Sequence, residues 1–182
     1  MRIAILVVGV MLLSQSGHAQ CPDGTPPPCR GAVPKRLIVP LDDAAWIVVP
    51  FDNTARDAEI DWLRDASVNL LSMDLARWKD VRVVDEKRVV DFVREMPSAN
   101  AQHRSLKDGL AVARRAGAGR LVMGDVLRSG RRTVVTATVY DSRQGQRVRT
   151  VRQETMAIAD SVFAVYGRLA REIIGLRAPA DG

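Results

Sequence analysis

Apolar positions fall in two rhythms along the chain, and the switches between them mark out the elements. Ala45-Trp46-Ile47-Val48-Val49-Pro50-Phe51 is a continuous apolar run of strand length, which predicts a strand buried on both faces. Thr54 and Asp57 form a capping box that should open a helix. Ile60, Leu63, Leu71, Leu75 and Trp78 follow at helical spacing on one stripe, with Val68 beside them. Val81 to Val84 predicts a second buried strand. Val89, Phe92, Val93 and Met96 predict a short helix that Pro97 stops. A second capping box, Ser105 and Asp108, starts a helix through Leu110 and Val112 to Arg115, ended by Gly117 and Gly119. Leu121 to Val126 reads as a third strand. Thr/Val-rich segments around Thr133 to Tyr140 and Gln146 to Gln153 read as a hairpin joined by the Asp141 to Gly145 turn. A last amphipathic helix follows Asp160, with Val162, Val165, Leu169 and Ile173 inward. The order β-α-β-α-α-β-β-β-α predicts one α/β domain, a mixed sheet of about five strands with helices packed on it. No internal period appears.

The segments before this domain follow other rules. Arg2 precedes Ile3 to Leu13, eleven residues without a charge, and Gly17 and Ala19 supply small residues for cleavage after Ala19. That is the pattern of a secretory signal peptide over residues 1–19. The run is too short for a bilayer-spanning helix, which needs about 20 residues. An integral membrane protein is not expected. A lipid-anchored Cys21 would want a small residue just before it, and Gln20 stands there, so a lipoprotein is disfavoured. Residues 20–43 hold six of the nine prolines without apolar periodicity and read as a linker to the domain at 44–176, with a tail at 177–182. Export to a periplasmic or secreted location also bears on Cys21 and Cys29, which flank a short proline-rich loop: in an oxidising compartment a local disulfide is expected.

Composition narrows the function without naming it. The chain has 182 residues, 47% hydrophobic and 26% charged, which excludes a disordered chain and a collagen-like fibre. A zinc site needs about four ligands. His103 is the one histidine beyond the signal segment, so no metal or other cofactor is expected. Arg114 to Gly119 imitates a glycine-rich phosphate loop in the wrong order, since a helix precedes it and a strand follows; Gly117 reads as a helix cap. Asp57, Asp61 and Asp65 suit the first turns of a helix better than a calcium loop. There is no Gly-x-Ser-x-Gly elbow, and the chain reads as non-enzymatic.

Charge is unevenly spread. Asp42 to Glu95 carries 13 acidic and 8 basic side chains, whereas Met96 to the end carries 7 and 15. Arg128, Arg131, Arg132, Arg143, Arg147, Arg149 and Arg152 crowd the hairpin. Two readings stand: a solvated sheet face, or an interaction patch for an acidic protein surface or another anion. Export and an aromatic content of 4% argue against a nucleic-acid partner.

With this order in place, a resemblance emerges. Trp46 to Asn53 (WIVVPFDN) resembles the opening strand of TolB amino-terminal-like domains. Leu71 to Trp78 followed by Val81 to Asp85 is similar to their helix-then-strand segment, and Ala113 to Asp125 to their helix-to-third-strand junction. Val135 to Asp141 with Gly145 is similar to their hairpin. Such domains precede tetratricopeptide repeats in bacterial extracytoplasmic sensor-like proteins, and related folds occur in the flagellar assembly protein FlgO and the curli secretion protein CsgG. The resemblance implies a non-catalytic interaction or scaffolding module of the cell envelope, whose partner is another envelope protein. The alternative is an anion- or nucleotide-binding receptor that uses the arginine-rich hairpin.

Overall fold

The structure is a computed structural model that describes Cys21 and residues 39–96, 103–156 and 158–175. The chain divides into two compact units, Met1–Leu37 and Ile38–Gly182. Cys21, in the first, is buried. Cys29, its pairing with Cys21, the signal segment and most of the linker fall outside the described residues.

The second unit is built on a mixed sheet. Its strands are β1 (Asp42–Val48), β2 (Asp52–Asn53), β3 (Arg82–Val83), β4 (Ala118–Ser129), β5 (Arg132–Asp141) and β6 (Arg147–Thr155). They run in the order β3-β1-β4-β5-β6, with β2 also paired to β4. β1 is parallel to both β3 and β4, while β4, β5 and β6 form an antiparallel meander. The helices are α1 (Leu63–Leu75), α2 (Glu86–Arg94), α3 (Leu106–Ala116) and α4 (Ile158–Ile174). This is the mixed α/β architecture expected from the apolar pattern.

Alternation along the strands builds two cores. Val48, Val122, Val135, Ala137, Val139 and Val151 face Leu63, Leu71 and Leu75 of α1 and Val165, Tyr166 and Leu169 of α4. Ile47, Val49 and Leu121 face Val89 of α2 and Val112 of α3 on the other side. The chain leaves β1 for β3 through α1 and returns to β4 through α2 and α3 on the opposite face, as right-handed crossovers require. In the first core the Tyr166 ring meets Phe51 at 6.3 Å between centroids, and its hydroxyl meets Ser67 Oγ at 2.5 Å. Burial pushes the Tyr166 phenol up to about 12, opposed by the Ser67 hydrogen bond.

Several boundaries differ from the sequence reading. The helix does not open at the Thr54/Asp57 box. Asn53 Nδ2 donates to Asp57 O at 2.8 Å and to Asp61 Oδ1 at 3.1 Å, which folds the segment into a tight turn. Asp57 then caps a single 3-10 turn, Ala58–Ile60, and α1 begins only at Leu63, leaving Ile60 and Trp78 outside it. The first strand ends at Val48 rather than Phe51. The second is not buried: β3 is two residues at the sheet edge, with Arg82 exposed. β4 is twice the expected length, because β2 and β5 both extend its pairing. The Ser105/Asp108 box holds, with Asp108 N donating to Ser105 Oγ at 3.2 Å. Gly117 caps α3 at φ +73, a conformation glycine adopts without cost; Gly119 lies within β4. Gly124 is needed for closeness, since a Cβ there would strike Thr136 O and the Phe51 ring.

Candidate functional site

The hairpin arginines do not gather on one surface. Strand alternation sends Arg149 to the α4 side with Val151, and Arg152 to the opposite face with Thr150 and Glu154. Most also have partners within the domain. Arg128 pairs with Glu59, lies 3.7 Å from Asp57, and donates from Nε to Gly130 O at 3.0 Å. The Glu59 hydrogen bond raises its pKa further. Arg143 pairs with Asp43 and donates to Leu41 O at 2.8 Å. Arg132 meets Glu154 at 3.0 Å, and Arg149 donates to Glu172 O near the C-terminus of α4 at 2.7 Å. Arg131 and Arg147 are exposed. Asp141, at the hairpin turn, accepts from the backbone N–H groups of Gln144 and Arg143, which hold its carboxyl below the usual range.

The three spaced aspartates are likewise divided. Asp57 caps the 3-10 turn, Asp61 takes the Asn53 amide, and Asp65 lines a cleft on the α2 side. No group of three or more His, Cys, Asp or Glu able to hold a metal occurs among the described residues. His103, just ahead of α3, meets Asp52 with its Nδ1 at 2.5 Å. Asp52 also accepts from the backbone N–H of Arg104 at 3.2 Å. Beside it in register, Asp125 has its carboxyl pushed up by burial, with a hydrogen bond from Thr136 opposing the rise.

Two other places break the rule of apolar inside and charged outside. The first is a groove of about 490 Å³ between α1 and α4. Leu70 and Met73 of α1 and Phe163, Ala164 and Gly167 of α4 line it, with Asp74, Arg77, Arg168 and Arg171 around them; Arg77 lies 3.4 Å from Asp74. Phe163 is 71% exposed and Met73 62%, the two most exposed large apolar side chains among the described residues. The same helices bury their opposite stripes in the core, so both residues are free to project outward. Exposed apolar surface rimmed by arginine is the composition of protein interfaces.

The second is Arg104. Only 4% of it is exposed, yet its Nε and Nη1 meet no hydrogen-bond acceptor among the described residues. Burial pushes the guanidinium below its ordinary pKa, against the pull of Asp52, Asp108 and Asp65. It borders a cleft of about 490 Å³ with Pro50, Arg64, Asp65, Val90, Val93 and Arg94. Neither site was singled out from sequence. Phe163 had a legible signal, an aromatic one position off the 162/165/169/173 stripe; Arg104 had none, because burial of an arginine depends on tertiary packing.

No family model matches the chain. No curated protein matches it either. Solved structures do. Lipoprotein GNA1162 from Neisseria meningitidis is similar at 18% identity and a TM-score of 0.50, over 76% of this chain and 99% of that one. The LpoB C-terminal domain from Salmonella enterica is similar at 10% identity and a TM-score of 0.49, over 63% and 84%. TolB from Acinetobacter baumannii is similar at 17% identity and a TM-score of 0.42; the match covers 75% of this chain but 28% of TolB. The likeness to GNA1162 establishes a fold, which the chain shares.

Proposed function

We propose that the chain is a non-catalytic interaction module of the bacterial cell envelope, working outside the cytoplasm, and that it docks another envelope protein in the α1–α4 groove. The observation that carries this is the pair of exposed apolar side chains, Phe163 and Met73, set in a groove flanked by Arg77, Arg168 and Arg171. An aromatic anchor beside arginines is the usual make-up of an interface hot spot. The partner chemistry that fits is an amphipathic segment with apolar residues on one side and acidic residues flanking them. The signal-like start of the sequence and the description of GNA1162 as a lipoprotein support an envelope location. Among the described residues no helix is long and apolar enough to cross a membrane.

The test is purification of the full chain from envelope extracts in wild-type and Phe163→Ser forms. The expected result is loss of the co-purifying envelope protein with an unchanged urea midpoint, since Phe163 contributes little to the core. Retention of the partner by Phe163→Ser, with loss by Arg147→Glu, would move the interface to the hairpin. Export is tested separately by mass spectrometry of the mature N-terminus. Gln20 at the terminus supports cleavage after Ala19, and a diacylglyceryl-modified Cys21 makes the protein a lipoprotein.

A further inference from the structure

We infer that the cleft beside Arg104 is a binding site for a small soluble phosphoryl compound, a phosphomonoester or inorganic phosphate, separate from the protein-docking groove. Three observations converge on it. The first is the guanidinium itself. A buried polar group is nearly always hydrogen-bonded, and a charged one left without acceptors calls for an explanation. Arg104 lies in a cleft wall with Nε and Nη1 unmatched. The carboxylate that acts on it most strongly, Asp52, already accepts from the Arg104 backbone N–H and meets His103 Nδ1.

The second is charge. Arg64, Arg94 and Arg104 line the cleft with one lining carboxylate, Asp65, so the lining itself carries an excess of positive charge, while Asp61 lies 4.0 Å from Arg64 and Asp52 and Asp108 act on Arg104 from outside the lining. A phosphoryl group carries about −1.5 to −2 at neutral pH, so it suits that excess better than a monocarboxylate does. Guanidinium forks also match phosphate oxygens geometrically. Pro50, Val90 and Val93 supply an apolar wall for whatever the phosphoryl group is attached to.

The third is position. Pro50 lies two residues past the carboxyl end of β1, the strand with parallel neighbours on both sides, from which the chain departs one way to β3 and returns the other way to β4. Crevices outside the carboxyl ends of strands at such a switch point are where open α/β sheets bind ligands. The cleft volume also falls within the range of about 300–1,000 Å³ usual for small-molecule sites. Its recessed guanidinium, 4% exposed, is suited to a ligand that can enter rather than to a flat lipid surface.

The experiment is calorimetric titration of the full chain with inorganic phosphate at constant ionic strength, and separately with vesicles of phosphatidic acid in phosphatidylcholine. Wild type should bind phosphate saturably. Arg104→Met should raise the Kd at least tenfold. Arg94→Ala, at the exposed end of α2, should weaken binding severalfold even if Arg104→Met folds poorly. Arg147→Glu on the hairpin should leave it unchanged. Absence of saturable phosphate binding, equal affinity in the Arg104 and Arg94 variants, loss on hairpin substitution, or binding to the vesicles without phosphate binding would each overturn the assignment. Loss of docking in Phe163→Ser does not bear on this site, so the two readings fail separately.

Discussion

β4 and β6 are strands of similar length that live under opposite conditions. β4 pairs with β1 and β2 on one side and β5 on the other, and both its faces are covered along its first half. β6 has one neighbour and shows one buried side chain, Val151. Arginine follows that difference: β6 carries three arginines in nine residues, and β4 carries its two beside carboxylate partners. The density of charge on the hairpin follows exposure and edge position, where charged side chains also discourage strand-to-strand association. The residues proposed to bear on binding are those that depart from this order, a buried arginine at position 104 and an exposed phenylalanine at 163.

The comparison breaks most visibly under core truncation. Leu121→Ala, at a fully buried position of β4, should cost about 2–5 kcal/mol by urea unfolding. Val148→Ala, on β6 and 57% exposed, should stay within about 0.5 kcal/mol. Equal costs would mean that the outer sheet face is covered in solution. Next in size is Arg104→Met. Exchanging a buried cation whose Nε and Nη1 lack acceptors for an apolar side chain of similar reach should raise stability by on the order of 1 kcal/mol in phosphate-free buffer. A loss of that size would make Arg104 a structural residue.

Asp125→Asn sharpens the contrast through pH. Burial raises the Asp125 pKa in the folded state above its ordinary value of 3.8, so folding favours the protonated acid. The native state then holds this contribution in full below 3.8 and loses it as pH rises through the folded value. The asparagine variant escapes that loss. Its melting temperature should exceed wild type near neutral pH, and the gap should close as the pH falls below about 3.8. A gap independent of pH would trace the gain to packing instead. Smallest of all, Arg147→Glu should leave the urea midpoint unmoved, because Arg147 is exposed on the edge strand.

How much of this was legible depends on the range over which each element is determined. The α3 boundaries were readable because Ser105, Asp108 and Gly117 act locally. The core stripe of α4 was readable because its spacing repeats over about three turns. The opening of α1 was not, since Asn53, at the end of β2, ties up Asp57 and Asp61 and converts an apparent capping box into a 3-10 turn. β3 looked like a buried strand because three valines stand within Val81 to Val84, yet its place at the sheet edge follows from the crossover through α1. The pairing of Arg128 with Glu59 joins residues 69 apart in sequence, and the orphaned guanidinium of Arg104 follows from which carboxylate the chain brings beside it. Local signals predicted elements, and the candidate sites emerged from contacts between them.

The most direct test of the account is site-specific photo-crosslinking in intact cells, with a photo-reactive phenylalanine derivative installed in place of Phe163 in one strain and of Arg147 in another. The account predicts a discrete crosslinked adduct to one envelope protein from position 163 and none from position 147. An adduct from position 147 alone would contradict it and return the binding surface to the arginine-rich hairpin.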